Sequence, residues 1–248
     1  MFKLPGLIYR NKFAPPNLPP PGSFKDQSIL ITGASGGLGL ATAVHFVNLG
    51  ASSVIITARS NAKGDAARDT VETQTNTVGK GIVKVMELDM STLASTKAFA
   101  DRVKGEVKKI NAVFLNAGVL NKSFQEGKEG FEETLQVNVL STALLALLLL
   151  PWMKEAGGGK AHLGFVTSGS HRSVAINGWP KDDVLGFLSK ESNWPKGGMY
   201  GPSKLLEQYA VNEIAKLAVG SDGKPKVIVN PMCPGMASCA LLVLGERF

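Results

Sequence analysis

Tyr200 and Lys204 stand four residues apart at the start of a stretch with helical apolar spacing, which puts them on one helix face. A phenol with an ordinary pKa of about 10 is a poor base near neutrality. An ammonium beside it favours the phenolate, and such a pair can give a proton to a carbonyl oxygen or take one from an alcohol. Ser168 closes the apolar run Phe165-Val166-Thr167, and its hydroxyl can donate to the same oxygen; Ser170, two positions on, is the alternative. His171 does not turn these serines into a hydrolase site, because adjacent residues rarely place nucleophile and base correctly and no G-x-S-x-G elbow is present. His45 and His162 form no metal pair. Tyrosine and lysine at this spacing also occur on ordinary helices, as a packed ring and a solvated amine, so their chemistry depends on what is held beside them.

The second reagent has a candidate site near the start of the chain. Gly33, Gly36, Gly37 and Gly39 lie between the apolar run Ile29-Leu30-Ile31 and the helical pattern of Leu40, Ala41, Val44 and Val47. Strand, glycine turn and helix in that order let backbone approach a ligand closely, and the helix start offers unpaired N–H groups to a pyrophosphate. A ligand-free turn is the other reading of the glycines alone.

The elements that must position these groups alternate. Apolar, β-branched runs at 29–32, 53–58, 82–88, 112–115, 163–167 and 227–230 read as strands, and 38–49, 62–77, 91–107, 130–153 and 202–219 as helices, with Ser91 as a helix cap. Repeated βα units predict a single α/β domain, a Rossmann-type doubly wound parallel sheet. In such a sheet ligands sit beyond the carboxyl ends of the strands. The polar residues found there are Thr32, Arg59, Asp89, Asn116 and Ser168, with Pro234-Gly235 after the last strand.

Taken together, Thr32-Gly33-x3-Gly37-x-Gly39, Asn116-Ala117-Gly118, Asn138, Ser168, Tyr200-x3-Lys204 and Pro234-Gly235 resemble the short-chain dehydrogenase/reductase family over roughly residues 26–236. More distantly, the chain is similar to reductases of fungal secondary metabolism. The resemblance implies a dinucleotide on Thr32, Gly33, Gly37, Leu38 and Gly39, with Asp89 by the adenine amine and Met90 supplying backbone contacts. It places Asn116, Ala117 and Gly118 under the cofactor and Pro234 and Gly235 beside it. It also implies that Asn138 holds a water linked to Lys204, which would bind the nicotinamide ribose. Asp89 as a plain turn residue and Asn138 as a buried helix residue remain the alternatives. The second strand ends Thr57-Ala58-Arg59-Ser60, with Lys63 nearby and no Asp or Glu. A ribose with free hydroxyls is best bound by an acid and a 2′-phosphate by a guanidinium, so NADP(H) is the expected cofactor.

Two departures stand out. The 32 positions from Ser168 to Tyr200 exceed the family's usual dozen or so, an insertion at about 170–198 that reads either as a lid over a bulky substrate or as surface elaboration. After Gly235 come MASCALLVLGERF, a domain shortened at its C-terminus in which 241–244 can form only one short element. Residues 1–24, with six prolines, read as an extended arm, packed on the body through Phe2, Leu4, Leu7, Ile8 and Tyr9 or disordered, with contact to a membrane surface as the alternative, and 25–248 as the nucleotide-binding domain.

Composition removes other classes. Twenty-seven Lys+Arg against 20 Asp+Glu give +7, but the charges are scattered without a basic, aromatic-laced run, so no nucleic acid is expected. Two cysteines without CxxC spacing indicate neither disulfides nor zinc. The apolar run 143–152 is too short for a bilayer and is interrupted by Pro151, so no integral membrane segment is expected; nor does the start resemble a secretory signal, which points to the cytoplasm. The family's dimers and tetramers pair their long helices, which implies a homodimer or homotetramer here. The expected activity is an NADP(H)-dependent interconversion of carbonyl and secondary alcohol on a small molecule, a ketoreductase of secondary-metabolite biosynthesis. A non-catalytic nucleotide-binding protein, and a dehydratase or epimerase using the same tyrosine, are the alternatives.

Overall fold

A computed structural model of the chain describes residues 17–235. Strands β1 (Ser28–Ile31), β2 (Ser53–Ala58), β3 (Val83–Glu87), β4 (Ala112–Leu115), β5 (Ala161–Val166) and β6 (Val227–Met232) form one parallel sheet in the order β3-β2-β1-β4-β5-β6. Ile29 pairs with Val54 on one side and Ala112 on the other, so β1 is central and the strand order reverses between β1 and β4. That reversal opens a crevice at the carboxyl ends of the strands. The helices are α1 (Gly37–Asn48), α2 (Asn61–Thr75), α3 (Leu93–Glu106), α4 (Glu133–Ala156), α5 (Val184–Leu188) and α6 (Tyr200–Leu217).

Continuous apolar strands follow from burial on both faces. Ile29, Ile31, Val54 and Ile56 join Ala43, Phe46, Ala67 and Val71 of α1 and α2 in one cluster. Leu30, Ile55, Val113, Leu115 and Phe165 face the other way, into a core with Phe99, Leu145, Leu149, Val211 and Ile214 of α3, α4 and α6. This is the doubly wound architecture read from the pattern.

Most boundaries lie within three residues of those expected, and the strands 53–58 and 112–115 match as read. The cap of α3 is a correction. Thr92, not Ser91, accepts the Ser95 N–H at 3.3 Å, because the Ser91 amide and hydroxyl are both spent on Asp89 at 2.9 Å. Thr92→Ala is therefore expected to cost about 1 kcal/mol in urea unfolding.

The apolar helix needs a second correction. Read as 130–153, α4 runs through Pro151 to Ala156, and by length and composition it could cross a bilayer, against the reading of its apolar run as too short. Two-thirds of its most apolar window is instead buried inside the protein, as a core helix. It opens on Glu132, fully buried, whose carboxylate accepts from the Leu135 N–H at 3.0 Å and the Thr134 hydroxyl at 2.9 Å. Its second turn, Gln136–Ser141, widens to π geometry, a local adjustment often found near functional groups.

The insertion folds onto the starts of α4 and α6. Leu188 and Met199 join Leu135 and Val139 in a satellite core flanked by Trp179, Phe187 and Trp194. Trp194 meets Phe124 edge-on at 5.9 Å, and the Glu132 N–H donates to Ser189 Oγ at 3.1 Å. The expected packing of the N-terminal arm through Phe2 to Tyr9, and the element at 241–244, lie outside the described residues.

Candidate functional site

The glycine turn is fastened from two sides. Thr32, fully buried at the end of β1, accepts the Asn116 and Ala117 N–H groups, each at 3.0 Å, on its hydroxyl. Asn116 answers with its side-chain amide, donating to the Thr32 and Gly33 carbonyls at 2.9 and 3.1 Å. From β2, Thr57 Oγ1 accepts the Gly33 N–H at 3.1 Å and its carbonyl accepts the Ala34 N–H at 3.0 Å. Gly33 holds φ +65°, and a Cβ there would lie 2.7 Å from Ala117 Cα, so the Asn116-Ala117-Gly118 segment passes directly under the turn. Gly36 caps α1 without any side-chain bond, and a Cβ there would meet nothing within 4 Å. The first amides of α1, at Gly37, Leu38 and Gly39, therefore follow a turn that carries only the small side chains of Ala34 and Ser35 between Gly33 and Gly36, an arrangement that suits an anionic pyrophosphate.

The titratable pair sits across the crevice. α6 begins at Tyr200, half-buried, and Lys204 Nζ lies 5.9 Å from the Tyr200 ring centroid. Nζ donates to the Val166 carbonyl at the end of β5 at 2.8 Å and pairs with Glu207 Oε2 at 2.8 Å. Asn138, fully buried in the π turn, closes a ring with the Val119 backbone, accepting its N–H at 2.8 Å and donating to its carbonyl at 2.9 Å. It also donates to Ser203 Oγ at 3.1 Å, and Ser203 donates to the Tyr200 carbonyl at 2.8 Å. Asn138 thus ties the loop after β4 to the first turn of α6.

Ser168 caps the 3-10 turn Gly169–Ser173 and receives the Ser170 N–H at 3.3 Å and the Ser170 hydroxyl at 3.0 Å. His171 Nδ1 lies 2.6 Å from the Ser168 carbonyl, which can only accept, so that nitrogen is a donor and not a base toward the serines. Gly169 N–H donates to Cys233 Sγ at 3.2 Å, which brings the segment before Pro234-Gly235 beside Ser168. An apolar cleft runs under this rim, lined by Ile31, Leu38, Asn116, Val166, Met232 and Pro234, at the reversal between β1 and β4.

The outer groups are separate from this centre. Arg59 and Lys63 are exposed at the end of β2 and the start of α2, where Ser60 occupies the cap position with no side-chain bond to the helix. Asp89 is half-buried after β3. Burial works to raise its carboxyl, but the Ser91 amide and hydroxyl and Lys128 at 3.5 Å hold it below the usual carboxylate range. Thr57, Lys128 and Glu207 were not singled out from sequence. Only Glu207 left a signal, an acid three residues after Lys204 on the same helix.

Residues 27–172 match the family model described as short chain dehydrogenase. The short-chain dehydrogenase/reductase ffsI of Aspergillus flavipes is 38% identical over 231 residues, 91% of this chain and 66% of that protein. The short-chain dehydrogenase/reductase phmF of Phaeosphaeria nodorum is 37% identical over 237 residues, 94% of this chain and 69% of that one. The chain thus spans about two-thirds of the length of these relatives. Among solved structures, a short chain dehydrogenase from Shigella flexneri complexed with NADP superposes with TM-score 0.66 at 20% identity, covering 91% of this chain and 85% of that one. One from Burkholderia phymatum in complex with NAD gives 0.60 at 21%, covering 85% and 66%. These structures speak to the fold and divide on the cofactor. With the model matched across most of the sheet and two relatives above one-third identity, the chain belongs to the short-chain dehydrogenase/reductase family of oxidoreductases.

Proposed function

We propose that this protein is an NADP(H)-dependent oxidoreductase interconverting a carbonyl and a secondary alcohol on a small molecule, in the manner of a ketoreductase. The observation that carries the reading is the Lys204 ammonium, buried yet held at the carboxyl end of β5 beside the Tyr200 ring and across the crevice from the glycine turn. The dinucleotide supplies a hydride when bound. The glycine turn Gly33–Gly39 and the first amides of α1 would hold its pyrophosphate, and Ala117 and Gly118 would floor it.

Tyr200 would give its phenolic proton to the substrate oxygen in reduction and recover one in oxidation, with Lys204 favouring the phenolate and holding the nicotinamide ribose. Ser168 fits the donor role better than Ser170. Its oxygen already accepts two hydrogen bonds, leaving its proton for the substrate, whereas the Ser170 proton is spent on Ser168. The aromatic insertion, folded against α6, would supply the substrate wall and suits a ring-bearing substrate. A role in secondary metabolism is supported only by the fungal relatives; a place in the cytoplasm and assembly as a dimer or tetramer belong to the same proposal.

The NADP(H) preference rests on Arg59 and Lys63 flanking the start of α2, whose capping Ser60 leaves the helix amides to a phosphate. Arg59→Asp is expected to weaken NADPH binding at least about tenfold and to leave NADH within about twofold, since one charge-assisted bond to the 2′-phosphate is lost and a repulsion gained. Parallel titrations of both nucleotides check this, and equal affinities before and after would remove the phosphate role. The activity itself is tested by following NADPH absorbance over a panel of ketones. Tight binding with no oxidation across the panel would favour a non-catalytic nucleotide-binding protein.

A further inference from the structure

The Lys204–Glu207 ion pair is the feature that the proposed chemistry does not use. Its two side chains are 5% and 2% exposed, while in every other ion pair among the described residues both partners are about a third exposed or more. An i,i+3 pair kept for helix stability alone belongs on the surface, where it loses little solvation. A buried pair must recover the desolvation of both charges, so this one is weak evidence for stability and calls for another role.

Here the geometry fixes an amine. The lysine stem crosses from α6 to β5, where Nζ meets the Val166 carbonyl and Glu207 Oε2, both at 2.8 Å. One of its three N–H donors is thereby spent on the Val166 carbonyl, and Glu207 Oε2 meets the ammonium as a close ion pair outside hydrogen-bond geometry. Glu207 Oε2 is buried and has no hydrogen-bond partner among the described residues, so the ion pair is its one polar contact there, and no third charged side chain among them lies within ion-pair distance of either group. Burial pushes the Glu207 carboxyl up and Lys204 draws it back. From the neighbouring α4, neutral Asn138 reaches this turn by its bond to Ser203, and His171 of the 3-10 turn is engaged at the Ser168 carbonyl.

We propose that Glu207 is a positioning residue for Lys204: its carboxylate holds the ammonium against the Val166 carbonyl and balances its charge, so that the donors not spent on Val166 meet the dinucleotide in one orientation. This rests on the oxidoreductase reading above.

The test is a double-mutant cycle of Glu207→Gln, Lys204→Met and the pair together, with Glu207→Asp as rescue. NADPH affinity is read by fluorescence titration, and kcat and KM are read with a ketone the wild type reduces. Glu207→Gln is expected to lose about tenfold in NADPH affinity and ten- to a hundredfold in kcat at unchanged ketone KM. Glu207→Asp should recover part of both, and Glu207→Gln should have no further effect once Lys204 is methionine. An equal loss with and without Lys204 would make Glu207 merely structural and overturn the proposal. If Glu207→Gln does not fold, folding of the double variant supports charge balance and its failure to fold overturns it. Wild-type protein that binds no NADPH would sink the oxidoreductase reading itself. Unchanged affinity in Glu207→Gln beside a loss in Lys204→Met would sink only the role of Glu207.

Discussion

Tyr200→Phe is expected to lower NADPH-dependent ketone reduction by at least about 10³-fold, within the range a positioned proton donor supplies, while NADPH affinity stays within about threefold of wild type. The substitution removes one oxygen from a half-buried ring at the start of α6 and leaves the helix start intact, because Ser203 bonds to the Tyr200 backbone carbonyl and not to its phenol. Lys204→Ala is expected to differ in kind. It removes the cation beside the ring and the contact proposed for the ribose, and it leaves Glu207 as an uncompensated buried carboxylate, a loss of about 3–5 kcal/mol for buried pairs in general. Both turnover and nucleotide affinity should fall, with a lowered unfolding midpoint. Near-wild-type rates in Tyr200→Phe would remove the phenol from the mechanism, whatever the cofactor.

The alternation of strands and helices and the placement of polar residues at the strands' carboxyl ends could be read from the chain because burial on both faces leaves little freedom. Val54, Ile55 and Ile56 can be nothing but a central strand, and a strand followed by Arg59 must deliver that residue to the crevice rim. What escaped reading depends on three-dimensional competition for a few donors. Ser91 and Thr92 are equally good caps on paper, and Asp89 decides between them by taking both Ser91 groups. The π turn at Asn138 has no periodic signature, since its apolar neighbours Val137, Val139 and Leu140 suit any helix. The insertion gave composition but no partner, because Leu188 and Met199 find theirs at Leu135 and Val139, about fifty or more positions away in sequence. Glu207 looked like one more solvated helix acid. Only the packing of α6 on the sheet turns it inward.

Gly39→Ala is the second large effect expected, and it separates the fold of the turn from its ligand. A Cβ at Gly39 would lie 2.6 Å from the Gly33 carbonyl oxygen, 2.6 Å from Asn116 Nδ2 and 2.9 Å from Ala34 Cα. Two of those atoms are backbone and cannot swing aside, and the third is the amide that bonds Thr32 and Gly33. Relief must come by opening the turn, so stability should fall by about 1–3 kcal/mol, as overpacking does elsewhere, and NADPH affinity should fall at least about tenfold. Gly36→Ala is the contrast. Its φ of −179° is extended backbone open to any residue, and its Cβ would meet no protein atom within 4 Å. Its stability cost should not exceed about 1 kcal/mol, the scale of a cap substitution, yet NADPH binding should still weaken, because the methyl occupies space proposed for the pyrophosphate. Urea unfolding and nucleotide titration of the two variants decide the matter. A Gly39→Ala protein as stable as wild type would contradict the packing of the turn, and undiminished NADPH affinity in Gly36→Ala would move the dinucleotide off it.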